Sequence, residues 1–159
     1  MTSNAEKIGA ALAKAVKATT GITSATLGAT LFRTNIRNVP KRDGLPGDAG
    51  LIDLRLLVDK ASAGADHTVG WSVLKPGARH GRRRLRNCDA FFIVLKGNGH
   101  LVSDSSREPS GEGDVVYCPR GVWHGFDNTS SDDVVLLWGL LGAGSIEVAD
   151  AEAPDAERS

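Results

Sequence analysis

Residues 113–128 read GDVVYCPRGVWHGFDN: a strand, a sharp bend and the start of a second strand. Gly113-Asp114 is a tight turn into the β-forming run VVYC, and Pro119 with Gly121 bends the chain. The bend delivers His124 onto a following strand, and Asn128 closes the next turn. The texture on both sides is the same. LIDLRLLV (51–58), HTVGWSVL (67–74), AFFIVL (90–95), HLVSD (100–104), DVVYC (114–118) and DVVLLWGLL (133–141) are short β-rich runs at regular spacing. KPGAR, KGNG, PSGEGD and NTSSDD between them are turn chemistry. Glycine fits this pattern, with 19 residues where average usage of about 7% gives roughly 11. Strands this short and regular predict an all-β sandwich or barrel, not a parallel α/β sheet.

The wider composition bounds the rest. A chain of 159 residues suits one domain with a real core. Nineteen basic residues balance nineteen acidic ones, which argues against a general nucleic-acid binder. Cys88 and Cys118 supply neither a disulfide framework nor a CxxC zinc pair, and read as reduced, partly buried thiols. No run of about 18 apolar residues appears, so no membrane partner is expected. IGAALAKAV (8–16) is too short and too polar for a signal peptide, so a cytoplasmic location is expected. Residues 4–18 read as an amphipathic helix with Ser3 and Glu6 as a capping box, and ATLGATLF (25–32) as a first strand. Residues 33–50 form a long basic loop with Pro40 and Pro46. The acidic tail 149–159 lacks an apolar pattern and is expected to be disordered. The expected division is thus 1–24 helix and connector, 25–148 barrel, 149–159 tail.

The five positions Gly113, Pro119, Gly121, His124 and Asn128 together resemble the second conserved motif of the cupin superfamily, G-x5-P-x-G-x2-H-x3-N. Residues 75–99, KPGARHGRRRLRNCDAFFIVLKGNG, are similar in frame to the first cupin motif, opening at Pro76-Gly77 and closing at VLKGNG. The resemblance spans about residues 50–148. It implies a double-stranded β-helix, the jelly-roll cupin barrel, here with an N-terminal α-helix. It also implies a homodimer, since cupin barrels commonly pair through sheet faces.

The departures bear on function. Metal-binding cupins take two His and one Glu from the first motif and one His from the second. In this frame the two histidine positions fall on Arg83 and Leu85 and the glutamate position on Ala90; His124 alone remains. One imidazole does not make a metal site, so no metal or other cofactor is expected. His80 with His124, joined by His67 or His100, is the alternative. Strand alternation would point His80 and Arg83 to opposite faces unless a bulge intervenes.

Five arginines crowd residues 79–86: Arg79, Arg82, Arg83, Arg84 and Arg86. By parity Arg83 enters the barrel while Arg82, Arg84 and Arg86 point away. A guanidinium beside Ala90 needs a nearby acid such as Asp53, solvent, or an anionic ligand, which Arg grips well. Nearby arginine charge favours a neutral, basic His124. The metal-free sugar epimerases of the superfamily are the precedent for His-based proton transfer, with Tyr117 as a partner here. Phe126 shares parity with His124, and Phe92 with Ala90, so both are candidates to line the pocket. The candidate catalytic pair is therefore His124 and Tyr117, with Arg83, Arg79, Phe92 and Phe126 binding substrate. The expected function is a metal-independent cupin that binds a small organic anion, aromatic or sugar-derived, and carries out isomerase, cyclase or lyase chemistry. Two alternatives stand beside it: a non-catalytic binding or sensing barrel, and a metal-dependent dioxygenase-type cupin with unusual ligands.

Overall fold

A computed structural model describes residues 31–42 and 50–154. The chain divides into two units, 1–39 and 40–159. In the first, the described residues hold one 3₁₀ turn, Ile36–Asn38, whose cap Asn35 accepts from the Arg37 amide at 3.0 Å. The predicted helix 4–18, residues 25–30 of the predicted first strand and residues 43–49 of the basic loop lie outside the described residues. Leu31 and Phe32 carry no strand.

The second unit is built from β1 (Ile52–Val58), α1 (Lys60–Ala63), β2 (His67–Leu74), β3 (Arg79–Leu85), β4 (Asp89–Lys96), β5 (Asn98–Ser103), β6 (Arg107–Gly111), β7 (Val115–Cys118), β8 (His124–Asp127), β9 (Val134–Leu141) and β10 (Ala151–Glu152). Two five-stranded antiparallel sheets form, in the orders β1-β2-β9-β4-β7 and β10-β3-β8-β5-β6. The all-β double-stranded β-helix is borne out. Period-two burial decides which face of each strand is core. Thr68, Gly70, Ser72 and Leu74 are buried on β2, and Ala90, Phe92 and Val94 on β4. Phe92 of one sheet meets Phe126 of the other edge to face at 5.9 Å, tying the layers by about 1 kcal/mol beyond their burial.

The bend read from 113–128 is built as expected. The Val122 amide closes on the Pro119 carbonyl at 3.1 Å. Gly121 sits at φ +79°, a left-handed conformation that a side chain would strain. Asn128, 1% exposed, donates to the Leu74 and Asp132 carbonyls and accepts from Ser130, so every polar atom of its amide is satisfied.

Two segments depart from the sequence reading. PSGEGD, taken as a turn, contributes Pro109, Ser110 and Gly111 to β6, which pairs with β5. The tail is not without structure from Ala149 onward. Ala151–Glu152 pair with Leu85 and Arg84, because acids at 150 and 152 meet the outward arginines Arg86 and Arg84.

Candidate functional site

The site begins with a register fault. On β3 and β8, His80 pairs with Phe126 and Arg83 pairs with His124, so Gly81 and Arg82 together face Gly125. The extra residue is a β-bulge, and it reverses the parity of everything beyond it. His80 and Arg83 therefore both turn to the interior. Gly125 permits this: a Cβ there would lie 2.9 Å from the His80 carbonyl oxygen and 3.1 Å from the Arg82 Cα.

The interior they reach is a cavity of about 90 Å³ between the two sheets, enough for a small organic molecule. Aliphatic and aromatic side chains dominate its wall, Phe92, Phe126, Leu136 and Trp138 among them. Trp138 is fixed by its indole N–H, which donates to Ser72 Oγ at 2.8 Å. Among the described residues, the titratable side chains on the wall are His80, Arg83 and His124, with no carboxylate. The Arg83 Nε donates to the Gly81 carbonyl at 3.3 Å, across the bulge.

Both imidazoles are held in the neutral form. Burial, then the charge of Arg83 and the neighbouring His124, pushes His80 down to about 3. Burial and Arg83 also lower His124, against the opposing pull of its bond to Val122. That bond fixes the tautomer. His124 Nδ1 lies 2.9 Å from the Val122 carbonyl; a carbonyl accepts only, so Nδ1 carries the proton and Nε2 holds the basic lone pair.

The sequence-predicted residues separate clearly. Arg83, His124, Phe92 and Phe126 line the cavity, and so does His80. Tyr117 does not. It pairs with Phe91 on the outer side of its sheet, is 57% exposed, and donates to Asp89 Oδ2 at 2.7 Å, which pushes the phenol up. Arg79 is exposed opposite Asp127 and lies away from the cavity lining. Asp53, offered as a partner for Arg83, pairs with Arg55 instead. Arg82 and Arg84 face outward and lie over the Trp123 ring at 5.5 and 5.0 Å, as parity required. Reading the sequence for its site missed Trp138 and the segment carrying Ile146, Ala149 and Ala151, all on the cavity wall. The alternation Leu136, Trp138, Leu140 carried the signal for the first.

Comparison with known proteins now places the fold. The family model described as Cupin domain matches residues 70–139, which run from β2 into β9 and take in both motifs. Residues 70–139 thus carry a cupin domain, and the fold is the cupin double-stranded β-helix. Among solved structures, this cupin is similar to the polyketide cyclase RemF from Streptomyces resistomycificus, at 22% identity and TM-score 0.62, over 70% of this chain and 80% of that one. It is also similar to a cupin-superfamily sugar phosphate isomerase from Silicibacter pomeroyi, at 24% identity and TM-score 0.58, over 68% and 74% of the two chains. These likenesses show the fold. An uncharacterised protein of Aquifex aeolicus is 40% identical over 48 residues, 30% of this cupin; the match spans 40% of that relative's length.

The positions that the first-motif frame singled out share one cavity with His124. Arg83, Leu85, Ala90 and His124 all line the cavity. Three of the four positions to which the resemblance assigns a metal ligand thus carry a guanidinium, an isobutyl group and a methyl group. His67 accepts from the Gly142 amide and His100 bonds Thr129, both away from the cavity lining. Among the described residues no three His, Cys, Asp or Glu side chains are grouped to hold a metal ion. The donor set does not fit the metal of the family: two imidazoles remain beside a permanent cation.

The histidines give this cupin a pH signature. Their folded pKa values lie below the ordinary 6.5. Above that value neither state is protonated and they contribute nothing. As pH falls through 6.5 the unfolded chain takes up protons that the folded chain refuses, so stability falls, for His80 down to about pH 3. Unfolding free energy by urea titration is expected to drop between pH 7 and 5, each histidine adding a slope of up to about 1.4 kcal/mol per pH unit. His80→Phe is expected to flatten it. A wild-type curve that is level from pH 7 to 5 would contradict this assignment.

Proposed function

We propose that the cavity binds a small organic anion with an apolar or aromatic body, and that His124 moves a proton on it. One observation carries the reading: Arg83 and His124 are direct cross-strand partners at a cavity whose described wall is, apart from His80, otherwise apolar and carries no carboxylate. A carboxylate or phosphate placed on the Arg83 guanidinium brings the body of the ligand beside the Nε2 lone pair of His124. A fixed guanidinium also stabilises negative charge that develops as a proton leaves carbon. A neutral imidazole with one free nitrogen is the form a general base requires. The reaction class is isomerisation, cyclisation or elimination. The named activities of the two similar structures, a cyclase and a sugar phosphate isomerase, are consistent with that class.

Deuterium wash-in tests it. Small aromatic and aliphatic 2-oxo acids in D₂O are expected to exchange their acidic C–H in the presence of the wild-type protein. His124→Gln is expected to lose about 10²-fold or more of that rate while still binding. Equal exchange by His124→Gln would overturn the base assignment. Saturable binding with no exchange in the wild type would favour the non-catalytic binding barrel.

The homodimer is proposed on the outer face of the β1-β2-β9-β4-β7 sheet. Trp71, Val73, Phe91, Ile93 and Leu137 carry apolar side chains there at half-burial, with Val115 69% exposed beside them. Light scattering is expected to give about 33 kDa, twice 16.7 kDa; the single mass would contradict it. No described helix is long and apolar enough to cross a membrane.

A further inference from the structure

The segment from Ile146 to Glu152 is built unlike the rest of the cavity wall. It follows β9 and runs along β3, ending in the two-residue strand β10. Its side chains alternate. Ile146, Ala149 and Ala151 line the cavity, while Asp150 and Glu152 meet Arg86, just past β3, and Arg84 of β3. Asp150 accepts from Arg86 Nε at 2.9 Å and Nη2 at 2.8 Å, a bidentate pair. Glu152 accepts from Arg84 Nε at 2.9 Å and lies 3.5 Å from Arg86 Nη1. Asn87 completes the clasp, donating to the Val148 carbonyl and accepting from the Asp150 amide, each at 2.8 Å. The Arg86 amide donates to the Asp150 carbonyl at 3.0 Å.

These attachments are polar and, apart from the Glu152 carboxylate at 19% exposure, largely exposed. Arg86 and Asp150 are each about half exposed, and ion pairs of that kind contribute little individually. Two of the three cavity-facing side chains are methyl groups, so apolar anchoring is small. Opening this segment therefore costs far less than unfolding the barrel. The small side chains have a second consequence: they leave space at the cavity wall that any larger residue would take.

We propose that residues 146–152 are a hinged wall, clasped by Arg84, Arg86 and Asn87, through which the ligand enters, and that Ala149 sets the size of the apolar body admitted. The proposal rests on the reading of the cavity as an organic-anion site, but its moving part is testable without a ligand. Amide hydrogen exchange at Arg86 and Asp150 is expected to be faster than at Phe92 and Val94 in the wild-type protein. Arg86→Gln is expected to speed exchange of the Asp150 amide and of the amide at position 86 several-fold while Phe92 and Val94 stay as they were. Equal protection of strap and core would overturn the hinge whatever binds in the cavity.

The ligand arm uses 4-fluorobenzoate followed by ¹⁹F line shape. Its dissociation is expected to accelerate at least several-fold in Arg86→Gln. Unchanged dissociation alongside faster strap amides would overturn entry through this wall. Ala149→Leu is expected to weaken binding of the probe tenfold or more with an unfolding midpoint near that of the wild type; undiminished binding in the folded variant would overturn the size role. If the wild type does not bind the probe at all, the anion reading of the cavity fails, and hydrogen exchange still decides whether the wall moves.

Discussion

Arg83→Met is expected to bind 4-fluorobenzoate about ten- to a hundredfold more weakly than the wild-type protein, with no loss of stability. The two halves of that result come from one cause. A charge-assisted hydrogen bond contributes about 1.5–3 kcal/mol, and each 1.4 kcal/mol is a factor of ten in Kd. Among the described wall residues Arg83 is the cation, beside two neutral imidazoles and apolar surface. Holding a guanidinium there has a desolvation cost, and a methionine of similar length fills the space without it. Fluorobenzene, which lacks the carboxylate, is expected to bind wild type and variant alike. The variant's histidines are expected to titrate higher, since Arg83 is one cause of their depression, yet to stay below 6.5 because burial is the larger one. A variant that loses stability and retains affinity would mean that Arg83 is a structural cation. Titration of the ¹⁹F probe and urea unfolding of the same samples separate the cases.

Gly125→Ala is expected to cost about 1–3 kcal/mol and to weaken the same probe. The new Cβ has no room: it meets backbone atoms of His80 and Arg82 at 2.9–3.2 Å, which cannot move without disturbing the bulge. Shifting the bulge changes the parity of β3 and separates His80 from Arg83. Gly111→Ala is the control, because a Cβ there finds its nearest neighbour at 3.6 Å, an ordinary contact. It is expected to change stability by less than about 0.5 kcal/mol. Equal urea midpoints for the two variants would contradict the role given to Gly125.

The bend from Gly113 to Asn128 was legible because its chemistry is local. Gly121, Pro119 and Asn128 act within a few residues, and the structure uses each as read. The inward aim of Arg83, Phe92 and Phe126 was legible by parity, since a strand's period is two. His80 was not, because a bulge is a two-strand event: the glycine that makes room for it lies on β8, 45 residues along the chain. Tyr117 failed for the opposite reason. Its strand was right, but Cys118, not Tyr117, shares the inward face with Ala90. Residues 150–152 of the acidic tail were misread because their partners lie on and just after β3. Asp150 and Glu152, two apart, match Arg84 and Arg86, two apart, and composition taken segment by segment conceals the match.

The central claim is that an organic anion sits on Arg83 with the free nitrogen of His124 beside it. Long-range ¹H–¹⁵N spectra of histidine- and arginine-labelled protein, recorded while 4-fluorobenzoate is added, test it most directly. The account predicts saturable shifts at Arg83 Nε and His124 Nε2, with His124 in the Nδ1-protonated form throughout and the rings of His67 and His100 unmoved. Shifts confined to surface arginines such as Arg86, with Arg83 and His124 unchanged at saturation, would contradict it.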